Sequence, residues 1–280
     1  MLLILTLKFG KENKAMYPAL TLIKKYVQYY FTASNGKGHG VHSPFVYQFI
    51  QEVLLDKKYP DSSSLIEAKR KALLSNKSVI DVWDRGAGSR QSKQNQRKIQ
   101  DIAASALKPK KYAHLLARIV AYFKPSNVIE MGTSLGITTC YLAKSANGQQ
   151  VFTMEGAPVV AEWAKQTISD LQIENVQIIE GDFNQTLPAV LEKIDRVGLA
   201  YIDGNHQYIP TMQYFRDLLK KSDENSFFIF DDIHWSEEME KAWDEIKQDP
   251  AVTLTIDLFY IGLVFFRKEN KEPMHYTIRY

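Results

Sequence analysis

Two short runs of this chain place acids where they could do chemistry: Asp203 in YIDGNHQY, and the adjacent pair Asp231 and Asp232 in IFDDIHW. Each closes an apolar run of the kind that forms a buried parallel strand. In an open α/β sheet such strand ends meet where the strand order reverses, so the three carboxylates are expected to face one another. Three carboxylates at one spot repel unless a proton or a cation lies between them. An oxygen-only set of this kind suits Mg2+ or another divalent cation, which keeps waters and leaves positions for a substrate. Asp203, Asp231 and Asp232 are therefore the candidate metal ligands. His206, three residues past Asp203, carries an imidazole, a group suited to accepting a proton, which makes His206 and Asp203 the candidate catalytic pair. A plain turn residue after Gly204 is an equal reading for His206. His234 reads as a partner that supports the ligands or as a helix-start residue.

A second set of residues points to a nucleoside. The first strand and its turn run Val128-Ile129-Glu130-Met131-Gly132-Thr133-Ser134-Leu135-Gly136. Glycines at a strand end let a ligand approach the backbone, and the next helix offers free N–H groups. The spacing is E-x-G-x-x-x-G rather than the dinucleotide G-x-G-x-x-G. Glu155, followed by Gly156, ends the second strand where a carboxylate can take both ribose hydroxyls. Asp182 and Phe183 follow the third strand (VQIIEGD, with Glu180), offering an acceptor for an adenine amino group and a ring beside its face. Helix-capping acids and turn glycines are the plain alternative.

With these residues in view, the chain resembles the class I S-adenosylmethionine-dependent methyltransferases over about residues 110–268. EMGTSLG, the acid of VFTMEG and the acid of IIEGDF stand where that family holds the methionine moiety, ribose and adenine. The resemblance implies that Glu130, Gly132, Thr133, Ser134, Gly136, Glu155, Gly156, Asp182 and Phe183 bind S-adenosylmethionine. The acids after the fourth and fifth strands are similar to those of metal-assisted O-methyltransferases of the catechol, caffeoyl-CoA and macrolide-sugar kinds. Three positions depart from those patterns. Asp232 stands where the catechol type usually has Asn, and His206 where it has Lys; Asn205 replaces a second acid of the sugar-modifying kind.

To position these residues the chain needs helix–strand alternation, and it has it from Lys110 on. Strands are expected at 127–131, 150–154, 176–180, 197–202 and 226–231, with helices at 111–123, 136–146, 158–171, 185–193, 208–221 and 235–248. VTLTIDLF and YIGLVFFRK close the chain as a hairpin. The expected fold is a doubly wound, Rossmann-like α/β sheet of seven strands, the last antiparallel. Residues 110–280 form the methyltransferase domain and residues 1–109 a helical N-terminal extension or lid. Within that extension, the turn Asp84-Arg85-Gly86-Ala87-Gly88-Ser89 reads as a hinge for a lid. His39 and His42 read as a loop opening a helix rather than as a metal pair.

At 280 residues with 45% hydrophobic and 24% charged content, the chain has the composition of an ordinary globular protein. Residues 1–124 hold 22 Lys and Arg against 8 Asp and Glu, while residues 125–280 hold 13 against 24. This split reads first as a basic cap over an acidic edge, and second as a surface for an anionic partner. On that second view the chain is a cofactor-binding regulatory protein. No strip interleaves aromatic residues with arginine, which argues against nucleic acid. The turn spacing disfavours a nicotinamide-dependent oxidoreductase. The lone Cys140, in an apolar helical stretch, excludes an internal disulfide, reads as a buried structural thiol and points to a cytoplasmic protein. The opening MLLILTL is too short to span a bilayer. A small hydroxylated molecule is the expected substrate; a homodimer is compatible with the sequence.

Overall fold

The computed structural model describes residues 16–34, 36–38, 41–56, 63–82 and 96–280. The expected hinge at 84–89, the opening MLLILTL and His39 lie outside the described residues. The described chain divides into two compact units. A middle unit gathers residues of 58–194, and a flanking unit joins residues of 11–57 to 195–280.

The flanking unit opens with α1 (Ala19–Thr32) and α2 (Pro44–Phe49), the latter running on into a π-helical turn at Ile50–Leu54. Ser43 caps α2, its hydroxyl accepting the Val46 N–H, with Pro44 at the first helical position. The middle unit follows with α3 (Ser63–Leu74), an antiparallel ribbon of β1 (Val79–Asp81) and β2 (Gln96–Lys98), α4 (Ile99–Ala106) and α5 (Lys110–Phe123). Its β/α units are β3 (Val128–Met131), α6 (Ile137–Ser145), β4 (Val151–Glu155), α7 (Pro158–Asp170), β5 (Val176–Glu180) and α8 (Phe183–Glu192). The chain then re-enters the flanking unit as β6 (Leu199–Ile202), α9 (Tyr208–Leu219), β7 (Phe227–Asp231) and α10 (Glu237–Gln248). It ends with β8 (Leu254–Asp257), β9 (Ile261–Phe265) and β10 (Met274–Thr277).

The strand order is β10-β8-β9-β7-β6-β3-β4-β5. The pairs β3–β4, β4–β5, β6–β7 and β8–β10 are parallel, and β9 runs against both of its neighbours. In the interior strands β3, β6 and β7 every residue is buried, as a sheet covered on both faces requires. The edge strands β5 and β10 are only partly buried. The doubly wound sheet with a reversed hairpin strand is as expected, and one feature corrects it. The sheet has eight strands rather than seven, and the reversed strand, β9, is not the last. The added strand β10 is four residues of alternating burial, MHYT, and so carries no continuous apolar run. The β1–β2 ribbon was likewise not expected, because its residues are mostly exposed and polar.

Candidate active site

In the middle unit, the turn between β3 and α6 is shaped by left-handed backbone: Gly132 has φ +112°, Ser134 +48° and Gly136 +81°. A Cβ on Gly136 would stand 3.3 Å from the Cα, the Cβ and the carbonyl oxygen of Ala164, so α6 and α7 approach more closely than another residue would allow. The Gly132 and Thr133 N–H groups donate to the Met154 carbonyl, at 3.0 and 3.1 Å, stitching the turn to β4. Glu155 closes β4 and orders what lies on either side of it. One carboxylate oxygen accepts the Ser134 N–H at 2.8 Å and the other the Ala157 N–H at 3.0 Å. A carboxylate has about four lone-pair sites and can accept more than one bond at each oxygen.

The other residues of this half take distinct places. Asp182 caps α8, one oxygen accepting the Asn184 N–H at 2.8 Å, and Phe183 is the first residue of that helix, partly exposed. Gly156 is partly exposed beside Glu155. Glu180 reaches Lys165 at 2.6 Å on the surface. Glu130 is wholly buried within β3, accepting the hydroxyls of Thr139 at 2.5 Å and Thr153 at 2.7 Å. Thr133 is buried beside it, its hydroxyl 2.6 Å from that of Thr153. Glu130 therefore lies beneath the turn rather than on its rim. Ser134 Oγ, by contrast, is buried with no hydrogen-bond partner among the described residues. An orphaned hydroxyl in an open glycine turn, beside a tethered carboxylate, fits a polar ligand that completes the site.

In the flanking unit, Asp203 follows β6, and Asp231 is the last residue of β7. Asp203, His206 and Asp231 each bring one ligand atom to a common spot, all within 4.8 Å of one another. His206 Nε2 stands 3.6 Å from an Asp203 oxygen. The other Asp203 oxygen accepts the hydroxyl of Tyr201 at 2.8 Å. The turn carrying the histidine is strained, with Asn205 at φ +63° and His206 at φ +24°. The Asn205 amide donates to the buried Tyr214 hydroxyl at 2.5 Å and so ties that turn to α9. Two carboxylates and an imidazole are a donor set that fits a divalent cation. Asp232 is outside this group. Its backbone is left-handed (φ +53°), its N–H donates to the Tyr260 carbonyl at 2.6 Å, and its own carbonyl accepts the Trp235 N–H at 2.9 Å.

Residues 129–233 match the family profile described as "Methyltransferase domain". The chain carries a methyltransferase domain over those residues. Solved structures share its fold. An O-methyltransferase from Bacillus cereus in complex with SAH is 18% identical with a TM-score of 0.53, over 79% of this chain and 97% of its own. An SAH-bound Podospora anserina methyltransferase is 11% identical with a TM-score of 0.56, over 93% of this chain and 100% of its own. No curated protein matches the chain in sequence.

Elsewhere in the methyltransferase, His234 is bound between two acids of its own unit. Its ring nitrogens meet Glu240 at 3.0 Å and Asp257 at 2.8 Å. Burial alone would lower its pKa, but the two carboxylates outweigh that and carry it up to about 9. Burial likewise works to raise Glu240, yet His234, Lys25 and the Tyr17 hydroxyl hold it down at about 2. The histidine thus anchors the N-terminal segment of the flanking unit. His42 is exposed. Cys140 is fully buried, and burial, reinforced by the charge of Glu130, pushes its thiol up to about 12. Among the described residues no helix is long and apolar enough to cross a membrane. Sequence reasoning missed Tyr201 and Tyr214. Tyr201 lies inside an apolar run and Tyr214 on the buried face of α9, and a buried hydroxyl that needs a partner was the signal they offered.

Proposed function

We propose that this methyltransferase moves the methyl group of S-adenosylmethionine to a hydroxyl oxygen of a small molecule, assisted by a divalent cation. The observation that carries the reading is the convergence of Asp203, His206 and Asp231. Two carboxylates turned toward one spot repel each other and gain from a cation between them.

On the donor side, Glu155 takes the two ribose hydroxyls, and Gly156 leaves room for the sugar. Asp182 accepts from the adenine amino group, with the Phe183 ring beside the base. Gly132 and Gly136 keep the turn open to the methionine moiety, and Ser134 Oγ hydrogen-bonds to it. Glu130 and Thr133 support that turn from beneath.

On the acceptor side, Asp203 and Asp231 hold the ion, with Asp232 supporting the strand end. A bound divalent ion lowers the pKa of a substrate hydroxyl and orients it. The substrate oxygen then attacks the methyl carbon in line with the departing sulfur. The O–CH3 bond forms as the S–CH3 bond breaks, its electron pair staying on sulfur. The hydroxyl proton passes to a carboxylate oxygen of the cluster and on to solvent. Tyr201, bonded to Asp203, keeps that carboxylate aimed at the cluster.

The test follows label from methyl-labelled S-adenosylmethionine into a panel of hydroxylated small molecules. Transfer is expected with the parent protein and lost on chelation and in Asp231→Ala. Turnover indifferent to EDTA returns the acids to hydrogen bonding. Tight donor binding with no transfer to any acceptor sinks the enzymatic reading.

A further inference from the structure

We infer that His206 is itself a ligand of the ion, not the acceptor of the substrate proton, and that the site therefore prefers a transition-metal-type divalent ion to Mg2+. The inference rests on the cation reading of this cluster and sharpens it.

Three observations carry it. The first is distance. The 3.6 Å between His206 Nε2 and the Asp203 oxygen is too long for a good hydrogen bond. Ligand atoms bonded to one ion at about 2.0–2.2 Å stand about 3–3.6 Å apart, so the spacing suits two donors on either side of a shared ion. The second is membership. The sequence predicts an all-oxygen set, but Asp232 is outside the group and an imidazole is within it. One nitrogen beside two carboxylates alters the chemistry of the site. Mg2+ prefers oxygen and gives up its waters reluctantly, whereas imidazole favours the later first-row ions.

The third is how the ring is held. Asn205 and His206 both adopt left-handed backbone, which Asn tolerates and which is uncommon for other side chains. The hydrogen bond from Asn205 to the buried Tyr214 keeps them there. The strain brings Nε2 toward the two acids. A fixed imidazole aimed at carboxylates is placed to share their ion.

The test titrates metal-free protein separately with Co2+ and Mg2+, by calorimetry and, for cobalt, by visible absorption. Co2+ is expected to bind at least about tenfold more tightly than Mg2+. His206→Ala should weaken Co2+ about tenfold and alter the cobalt spectrum, while Mg2+ affinity moves by less than about threefold. His206→Asn repeats the measurement with a residue that tolerates left-handed backbone, so a loss there reports the ring and not the turn. Asp231→Asn should weaken both ions. An unchanged cobalt spectrum, or equal losses for both ions in the histidine variants, overturns the ligand assignment and leaves the cation reading standing. A parent protein that binds neither ion removes both.

Discussion

The middle and flanking units use the same device, an acid at the end of a buried strand, to opposite effect. In the middle unit each acid is occupied by its own chain. Glu155 holds the N–H groups of Ser134 and Ala157, Asp182 caps α8, and Glu130 is covered by two threonine hydroxyls. In the flanking unit Asp203 and Asp231 are turned toward each other and toward His206. Acids tied to backbone N–H groups build a rigid, shaped surface and keep lone pairs for neutral hydroxyls and amines. Acids that converge create a concentrated negative charge. The first arrangement suits a nucleoside, the second a cation.

The largest expected effects separate these two uses. Glu155→Ala removes the tether on Ser134 and, on the proposed reading, both ribose contacts. At about 1.5–3 kcal/mol for each hydrogen bond to a charged group, SAH binding should weaken a hundredfold or more by calorimetry. Asp231→Asn should leave SAH affinity within about twofold while removing methyl transfer, because on the proposed reading its carboxylate serves the acceptor side. Equal loss of SAH binding in both variants would break the division between the units.

Next in size is the cost of opening the buried polar layer under the donor turn. Glu130→Ala leaves the hydroxyls of Thr139 and Thr153 without their acceptor and opens a cavity in a fully buried strand. A loss of about 2–4 kcal/mol in urea denaturation is expected. A loss below about 1 kcal/mol would mean that the carboxylate costs nearly as much to bury as its bonds return.

This residue also marks what the sequence leaves open. The acids of the five strand ends were legible as a row because each closes an apolar run. A row says nothing of direction, however. Glu130 lies inside β3, one residue short of its end and level with Thr153 in the β3–β4 register, so it points into the interior layer. The polar Thr139 and Thr153 in apolar surroundings were the available sign. Asp231 and Asp232 are neighbours, the first the last residue of β7 and the second already beyond the alternation of a strand. The left-handed backbone of Asp232 takes it further from that pattern. His206 joins the cluster through a strained turn that no propensity scale anticipates. The parallel core was legible because buried strands are continuous apolar runs, and β10 was not because an edge strand need not be one.

A smaller effect concerns the shape of the donor turn alone. Gly136→Ala places a side chain on backbone at φ +81° and presses its Cβ against Ala164 at 3.3 Å. The conformational term is about 1 kcal/mol, and the contact adds about as much unless α7 yields. Thermal unfolding should fall accordingly, and SAH affinity with it. Asn205→Gly in the flanking unit is the counterpart. It relieves positive φ instead of imposing it, so unfolding should change little while the turn loses its tie to Tyr214.

The smallest effect lies in the pH dependence of the flanking unit, where the His234 network pairs two acids with one imidazole rather than turning them toward one another. His234 is raised to about 9, so the stability it confers is complete below its unfolded value near 6.5 and is lost as pH rises through 9. Glu240 is lowered to about 2, so its contribution is complete above about 4.5 and is lost as pH falls toward 2. Both act in full between about pH 4.5 and 6.5. His234→Gln keeps the volume and some hydrogen bonding but cannot carry the charge. Its Tm deficit relative to the parent protein should be greatest in that window and close as pH passes 9. A deficit that stays constant from pH 5 to about 9.5 would show that packing against Phe259, whose ring stacks on the imidazole at 5.2 Å, holds this corner, and not the ion network.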